Sequence, residues 1–90
     1  MAKFYGYVII DEVHSEILRI ALDKQSAIDY ITTFLINNYS DIMARNAEED
    51  GYNIEENETS AITEYIQDNL EDDLGYFSSY IFCTSAPVIE

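Results

Sequence analysis

The stretch KFYGYVIIDEVHSEILRIAL, residues 3–22, decides the fold, because it predicts two strands joined by a short polar loop. Residues 3–10 are rich in aromatic and β-branched side chains, which favour strands. Residues 16–22 alternate in the manner of a half-buried strand, after a polar loop at 11–15. One predicted face of this second strand carries Leu18, Ile20 and Leu22. The simplest arrangement is an antiparallel pair.

Two amphipathic helices are predicted after the hairpin. Residues 24–47 place apolar side chains at spacings of three and four, with Asp23 as the N-cap. We expect the Asn37-Asn38 pair to weaken this helix, since Asn is a poor helix former. A polar loop over 48–58 then leads to a second helix over 60–74. The second helix is capped by Thr59 or Ser60 and is followed by Gly75 at the position after its C-cap.

A third strand is predicted over residues 76–84, YFSSYIFCT, with Pro87 as its end and residues 88–90 as a tail. The order is therefore β-β-α-α-β. We predict an α+β fold, in which a three-stranded antiparallel sheet carries two helices on one face. Ninety residues form one domain, residues 1–90.

The charge of the chain is strongly acidic and unevenly distributed. Four basic residues face 18 acidic ones, which gives a net charge of −14 and an isoelectric point near 4.1. Residues 1–40 hold three basic and five acidic side chains, whereas residues 41–90 hold Arg45 against thirteen acidic ones. Small domains ordinarily carry a net charge of magnitude about 2–8, so this excess predicts a basic partner.

The inventory of reactive side chains argues against an enzyme. His14 and Cys83 are the single histidine and cysteine, and they form a nucleophilic pair only if folding joins them. The alternative is a loop histidine and a buried structural thiol. No phosphate-binding glycine loop, G-x-S-x-G or H-E-x-x-H motif is present. We expect no catalytic residues and no cofactor.

The sequence around Gly51 does not place its acidic residues at the positions that an EF-hand calcium-binding loop requires. With Gly51 at position 6 of an EF-hand, position 12 falls on Asn57, where a bidentate Glu is required. We therefore predict no metal ligands, and a weak divalent-cation site near Gly51 stays open as an alternative.

The acidic side chains of the second half form the predicted contact surface. Like charges three or four positions apart on a helix destabilise it by about 0.2–0.5 kcal/mol per pair, and no basic residue follows Arg45 to offset them. Acids at the last turn also oppose the helix dipole. We infer that function maintains this array, with Tyr52 and Tyr65 as aromatic anchors if they are exposed. The predicted partner-binding residues are Glu48, Glu49, Asp50, Tyr52, Glu55, Glu56, Glu58, Glu64, Asp68, Glu71, Asp72 and Asp73.

In charge, length and acidic helix, the chain resembles the acidic phage-encoded inhibitors that mimic nucleic acid, a class that includes anti-CRISPR and anti-restriction proteins. That class shares no motif or fold, so the resemblance transfers no residue. It implies that the protein occupies the basic channel of a nucleic-acid-binding enzyme, binds no nucleic acid itself, and excludes the substrate.

Several other interpretations stay open. The acids could serve only solubility or adaptation to salt. A small adaptor, antitoxin-like or chaperone protein could instead bind a basic partner through an apolar strand edge and a Tyr surface. The apolar third strand also leaves a homodimer open. No apolar run approaches the roughly 20 residues of a membrane span, and a single cysteine fits a reducing compartment, so we expect a cytoplasmic protein without a membrane partner.

Overall fold

A computed structural model describes residues 3–55 and 58–89 and confirms the α+β fold with the order β-β-α-α-β. Three antiparallel strands form one sheet in the order β2-β1-β3. The strands are β1 (Lys3–Asp11), β2 (Glu16–Ala21) and β3 (Ile81–Ile89). Helix α1 (Lys24–Glu49) lies against β1 and β2, and α2 (Glu58–Asp72) packs against α1.

The start of α1 is confirmed and its end lies beyond the predicted boundary. Asp23 caps the helix, because its carboxylate accepts from the Ser26 N–H at 2.7 Å. The helix continues two residues past 47, Asp50 is its C-cap, and the next residue, Gly51, has a φ of +93° that favours glycine. Glu48 and Glu49 therefore belong to the last turn of α1 instead of to a loop.

A kink interrupts α1 at Tyr39, one residue after the Asn37-Asn38 pair that we expected to weaken it. Tyr39 has non-helical dihedral angles (φ −137°, ψ 31°). The Asn38 side-chain amide donates to the Phe34 carbonyl at 2.9 Å, so it competes with the backbone ladder. The ring of Tyr39 then packs at 4.9 Å, centroid to centroid, from that of Tyr80.

Helix α2 is shifted toward the N-terminus relative to the predicted 60–74. It begins at Glu58, so the predicted caps Thr59 and Ser60 lie inside its first turn. Its first turn contains the Glu58 carboxylate, which the helix dipole favours. It ends at Asp72, because the Asp73 carboxylate accepts from the Gly75 N–H at 2.9 Å and closes a local turn.

The predicted third strand is wrong in its boundaries. Residues 74–80 form successive turns, closed by backbone bonds such as Tyr80 N–H to the Phe77 carbonyl at 2.9 Å. Strand β3 starts at Ile81 and continues through Pro87 to Ile89, so Val88 and Ile89 of the predicted tail are part of the sheet, and Glu90 lies outside the described residues. Because β3 is an edge strand, the missing N–H of Pro87 does not interrupt the sheet.

A β-bulge in β2 changes the predicted alternation. Ile9 pairs with Arg19 and Ile10 pairs with Ile17, so Leu18 is the extra residue. Leu18 packs against the core, while Ile20 is exposed, and the two do not share a face as predicted. The bulge places Ile17 and Ile20 on the same side of the sheet.

The core lies between the sheet and the helices. It combines Ile9 and Ile81 from the strands with apolar residues of both helices and Phe77 from the 74–80 turns. The fully buried large side chains are Ile9, Ile28, Ile31, Leu35, Met43, Ile66, Leu70 and Ile81. In both helices the buried apolar residues recur at spacings of three and four, as predicted for amphipathic helices; they include Ile28, Ile31 and Leu35 of α1 and Ile62, Ile66 and Leu70 of α2.

Candidate partner-binding surface

Folding assembles an acidic patch that we define as Asp50, Tyr52, Glu64 and Asp68. Asp50 caps the end of α1, and Tyr52 follows Gly51 in the connecting segment. Glu64 and Asp68 lie one turn apart on α2. The Tyr52 hydroxyl donates to the Asp68 carboxylate at 2.7 Å, so it joins the segment after α1 to the exposed face of α2.

The carboxylates of the acidic patch make the Tyr52 phenol harder to ionise. The hydrogen bond to Asp68 is the largest cause, followed by loss of hydration and the charges of Asp68, Glu64 and Asp50, and together they raise the pKa of Tyr52 to about 12. Among residues 3–55 and 58–89, the one ion pair joins Asp11 and His14, so these carboxylates have no cation within 4 Å.

Beside the acidic patch is a concave surface of about 350 Å³, which we call the aromatic cleft. The cleft lies where the last turn of α1, the α2 helix and the 74–80 turns meet. Its lining residues are Asn46, Glu49, Asp50, Tyr65, Tyr76, Phe77, Ser79 and Tyr80. Asp50 belongs to both the acidic patch and the cleft, so the two surfaces are continuous.

Edge-to-face contacts hold the rings around the cleft. Tyr65 packs against Tyr52 at 5.6 Å and against Phe77 at 5.9 Å, and Phe77 packs against Tyr76 at 4.9 Å, all between ring centroids. Burial is the largest cause that raises the pKa of Tyr65 to about 12. Tyr65 is buried and Tyr52 is half-buried, so Tyr65 does not meet the condition of exposure set for an aromatic anchor; Tyr76, at 49% exposure, is the more accessible ring.

The other predicted contact residues face solvent around this surface. Glu49 lines the aromatic cleft, and Glu58 opens α2. Of the predicted contact residues, those that are exposed and lie outside the acidic patch are Glu48, Glu49, Glu55, Glu58, Glu71, Asp72 and Asp73. Glu56 lies outside the described residues. The acidic surface thus extends from the end of α1 along α2.

The Lys24 side chain, from the start of α1, lies at the C-terminal end of α2, although the two positions are far apart in the sequence. The Lys24 ammonium, at the start of α1, donates to the Glu71 carbonyl at 2.7 Å. It therefore places a positive charge at the C-terminal end of α2, where the dipole favours one. The last turn of α2 itself holds no basic residue, as its sequence predicts, and the cation near it comes from a residue 47 positions away.

His14 and Cys83 have separate structural environments. The His14 ring contacts the buried Asp11 carboxylate at 2.8 Å, and this hydrogen bond raises the pKa of His14 and lowers that of Asp11. Cys83 lies opposite Ile9 in the sheet, and burial raises the pKa of its thiol. An activated cysteine needs the opposite direction. Sequence reasoning missed Asp11, which is buried although it was assigned to a polar loop.

The second exposed feature is apolar, and we call it the outer sheet face: Val8, Ile10, Ile17, Ile20 and Phe82. Strand register places Ile17, Ile10 and Phe82 in one row and Ile20 and Val8 in the next. Ile17 is 66% exposed and Ile20 57%. The opposite face, with Ile9 and Ile81, covers the core.

Over the described part of the chain, no group of three or more His, Cys, Asp or Glu side chains could hold a metal ion. None of the helices there is both long and apolar enough to cross a membrane.

No protein-family model, curated protein or solved structure matches this chain.

Proposed function

We propose that this protein is a non-enzymatic inhibitor that mimics nucleic acid and binds a basic nucleic-acid-binding enzyme, such as a CRISPR effector or a restriction nuclease, in the cytoplasm. The observation that carries the proposal is the exposed acidic face of α2, whose carboxylates have no cation within salt-bridge distance among the described residues. Such a face occupies the enzyme's basic channel and excludes the substrate.

The spacing of the carboxylates supports this mechanism. Glu64 and Asp68 are four positions apart on α2, which separates their Cβ atoms by about 5–6 Å. This distance is comparable with the separation of phosphates along one nucleic-acid strand. The Lys and Arg side chains that neutralise phosphates can therefore bind these carboxylates, with the same release of counterions and the same steep salt dependence.

Charge reversal tests the proposal. We expect Glu64→Lys, Asp68→Lys and Asp72→Lys together to weaken inhibition of a guide-loaded CRISPR nuclease or a restriction endonuclease by about a hundredfold or more, as loss of close charge pairs does. Substrate cleavage and direct binding are measured at several salt concentrations. Circular dichroism checks that the fold is retained.

The matched control reverses three exposed acids away from the acidic patch. Glu12→Lys, Glu16→Lys and Asp41→Lys make the same change in net charge on the hairpin and on α1. We expect this variant to keep most of its inhibition. Equal loss in both variants contradicts a defined contact surface, and unchanged inhibition in the α2 variant contradicts the proposal itself.

A second candidate function is supported by the outer sheet face. A small adaptor, antitoxin-like or chaperone protein would bind its basic partner through this apolar surface, its strand edge and the neighbouring tyrosines. Salt separates the two functions, because contacts to carboxylates weaken steeply with ionic strength and apolar contacts respond little. The replacement Ile20→Asp would abolish binding by an adaptor and leave a nucleic-acid mimic active.

A further inference from the structure

We propose that the aromatic cleft receives the guanidinium group of one arginine from the basic partner. This inference rests on the proposed function and deepens it, because it assigns one specific anchoring site within a surface that otherwise acts through its overall charge. The residues that line the site include Glu49 and Asp50 and the tyrosines Tyr65, Tyr76 and Tyr80, of which Tyr76 is the most exposed.

The lining has the two components that recognise a guanidinium. Aromatic rings attract a cation through their negative faces, and carboxylates accept its N–H groups. Glu49 and Asp50 are exposed, and within residues 3–55 and 58–89 neither forms an ion pair. Of the described residues, no Lys, Arg or His is among those that line the cleft.

The size and openness of the cleft also fit a side chain. A volume of about 350 Å³ accommodates the planar guanidinium and the adjoining methylenes, and lies at the lower end of small-ligand sites. Tyr76 is 49% exposed although it packs against Phe77, so much of its surface is left for an incoming group. Ser79 and Tyr80 also line the cleft, and both side chains carry a hydroxyl group that can accept a hydrogen bond.

Arginine fits this site better than lysine does. A guanidinium is planar, stacks on rings, is weakly hydrated and donates two parallel N–H bonds to carboxylates. An ammonium is compact and strongly hydrated, so it loses more when it leaves water to lie between rings. The proposal therefore distinguishes two side chains of the same charge, which a purely electrostatic surface does not.

The test uses three capped tripeptides as probes, Gly-Arg-Gly, Gly-Lys-Gly and Gly-citrulline-Gly, added to the full chain. Amide and ring resonances are followed by nuclear magnetic resonance. We expect the arginine peptide to shift the resonances of Tyr76, Ser79 and Asp50 in a saturable manner. The lysine peptide should bind about threefold or more weakly, and the neutral citrulline peptide should produce no saturable shift.

Variants of the cleft separate the contribution of the aromatic rings to arginine binding from that of the carboxylates. Tyr76→Leu removes the ring and Glu49→Gln removes one carboxylate, and each should weaken arginine binding. Tyr76→Phe keeps the ring and should bind as the parent does. Glu48→Gln changes the neighbouring exposed acid, which does not line the cleft, and is the matched control.

The outcomes are distinct from those of the charge-reversal experiment. Equal binding of the arginine and lysine peptides, saturable citrulline binding, or shifts that avoid the cleft overturn the inference. If they occur while the α2 charge-reversal variant still loses inhibition, the nucleic-acid mimic stands without an arginine site. If the arginine peptide binds as expected while that variant inhibits normally, the cleft stands and the proposed function falls.

Discussion

At the scale of single residues, the Tyr52–Asp68 hydrogen bond links the connecting segment to α2. The bond is 2.7 Å long and is the largest cause of the raised pKa of Tyr52. It gives the acidic patch a defined geometry, because it fixes the phenol among three carboxylates.

The replacement Asp68→Asn should lower the pKa of Tyr52 from about 12 toward its ordinary value of 10.0, because it removes a charged acceptor. The measurement is a pH titration of the tyrosine ring resonances. Glu71→Gln makes the same charge change one turn further along α2, away from the bond, and should leave the Tyr52 pKa near its parent value. A pKa that stays near 12 in Asp68→Asn contradicts the assigned hydrogen bond.

The Asp11–His14 contact should make the stability of the hairpin depend on pH. The pKa of His14 is raised from 6.5, so its contribution is full below that value and is lost as pH rises through the folded pKa. The pKa of Asp11 is lowered from 3.8, so its contribution is present above that value and is lost as pH falls through the folded pKa.

The free-energy difference between the parent and His14→Gln should therefore be largest between about pH 4 and 6.5, the window that these two ordinary values bound. Chemical unfolding at a series of pH values measures it. Gln25→Ala, an exposed change on α1, provides the control for general effects of pH. A difference that grows above pH 8 has the wrong sign for the contact.

At the scale of elements, the end of α1 depends on one backbone conformation. Gly51 has a φ of +93°, and a Cβ added there would meet nothing within 4 Å. The replacement Gly51→Ala therefore tests backbone strain without a steric clash. We expect a loss of about 1 kcal/mol in the free energy of unfolding, measured with urea.

Gly75→Ala is the matched control for that experiment. Gly75 has no positive φ, and an added Cβ would lie 3.4 Å from an Asp73 carboxylate oxygen, an ordinary contact. Its effect should stay within about 0.5 kcal/mol. Equal losses at the two glycines would show that the α1 terminus does not require the left-handed conformation.

The two helices are also coupled through Lys24. Replacement of Lys24 by Gln removes the ammonium at the C-terminal end of α2 and should lower the free energy of unfolding by about 0.5–1 kcal/mol at low salt. The loss should shrink as salt is added. Arg45→Gln makes the same charge change on α1, where no ion pair is formed, and should have a smaller effect at low salt.

At the scale of the whole molecule, the acidic and apolar surfaces respond to salt in opposite ways. The outer sheet face lies mostly on β1 and β2, within the half of the chain that has nearly balanced charge. A second copy of the chain can cover it without bringing the acidic helices of the two copies together. We therefore expect any dimer to form through this face and to increase with salt, which screens the −14 repulsion.

Light scattering after size-exclusion chromatography, at low and high salt, measures this association. Ile20→Asp should keep the chain monomeric at both concentrations, and Thr33→Asp, an exposed acid added on α1, is the control. A dimer that dissociates as salt rises contradicts the apolar interface, and a monomer at every concentration contradicts self-association.

Local sequence patterns determined the order of the elements, the capping of α1 by Asp23, the weak point near Asn37-Asn38 and the helical core stripes. These features depend on neighbours within a few positions, where periodicity and propensity act. The concentration of acid in residues 41–90 is likewise a property of composition. Composition does not determine which of those acids surround Tyr52 in the folded chain.

Only the tertiary structure decided the remaining features, because each depends on residues far apart in the chain. The stretch YFSSY has the composition of a strand, yet Phe77 turns inward against Tyr65 of α2, and the segment forms the wall of the aromatic cleft. The bulge at Leu18, the burial of Asp11 and the approach of Lys24 to Glu71 were set by packing between elements. Propensity describes a residue's preference for a strand or a helix, whereas burial against a distant partner contributes more free energy and therefore decides the outcome.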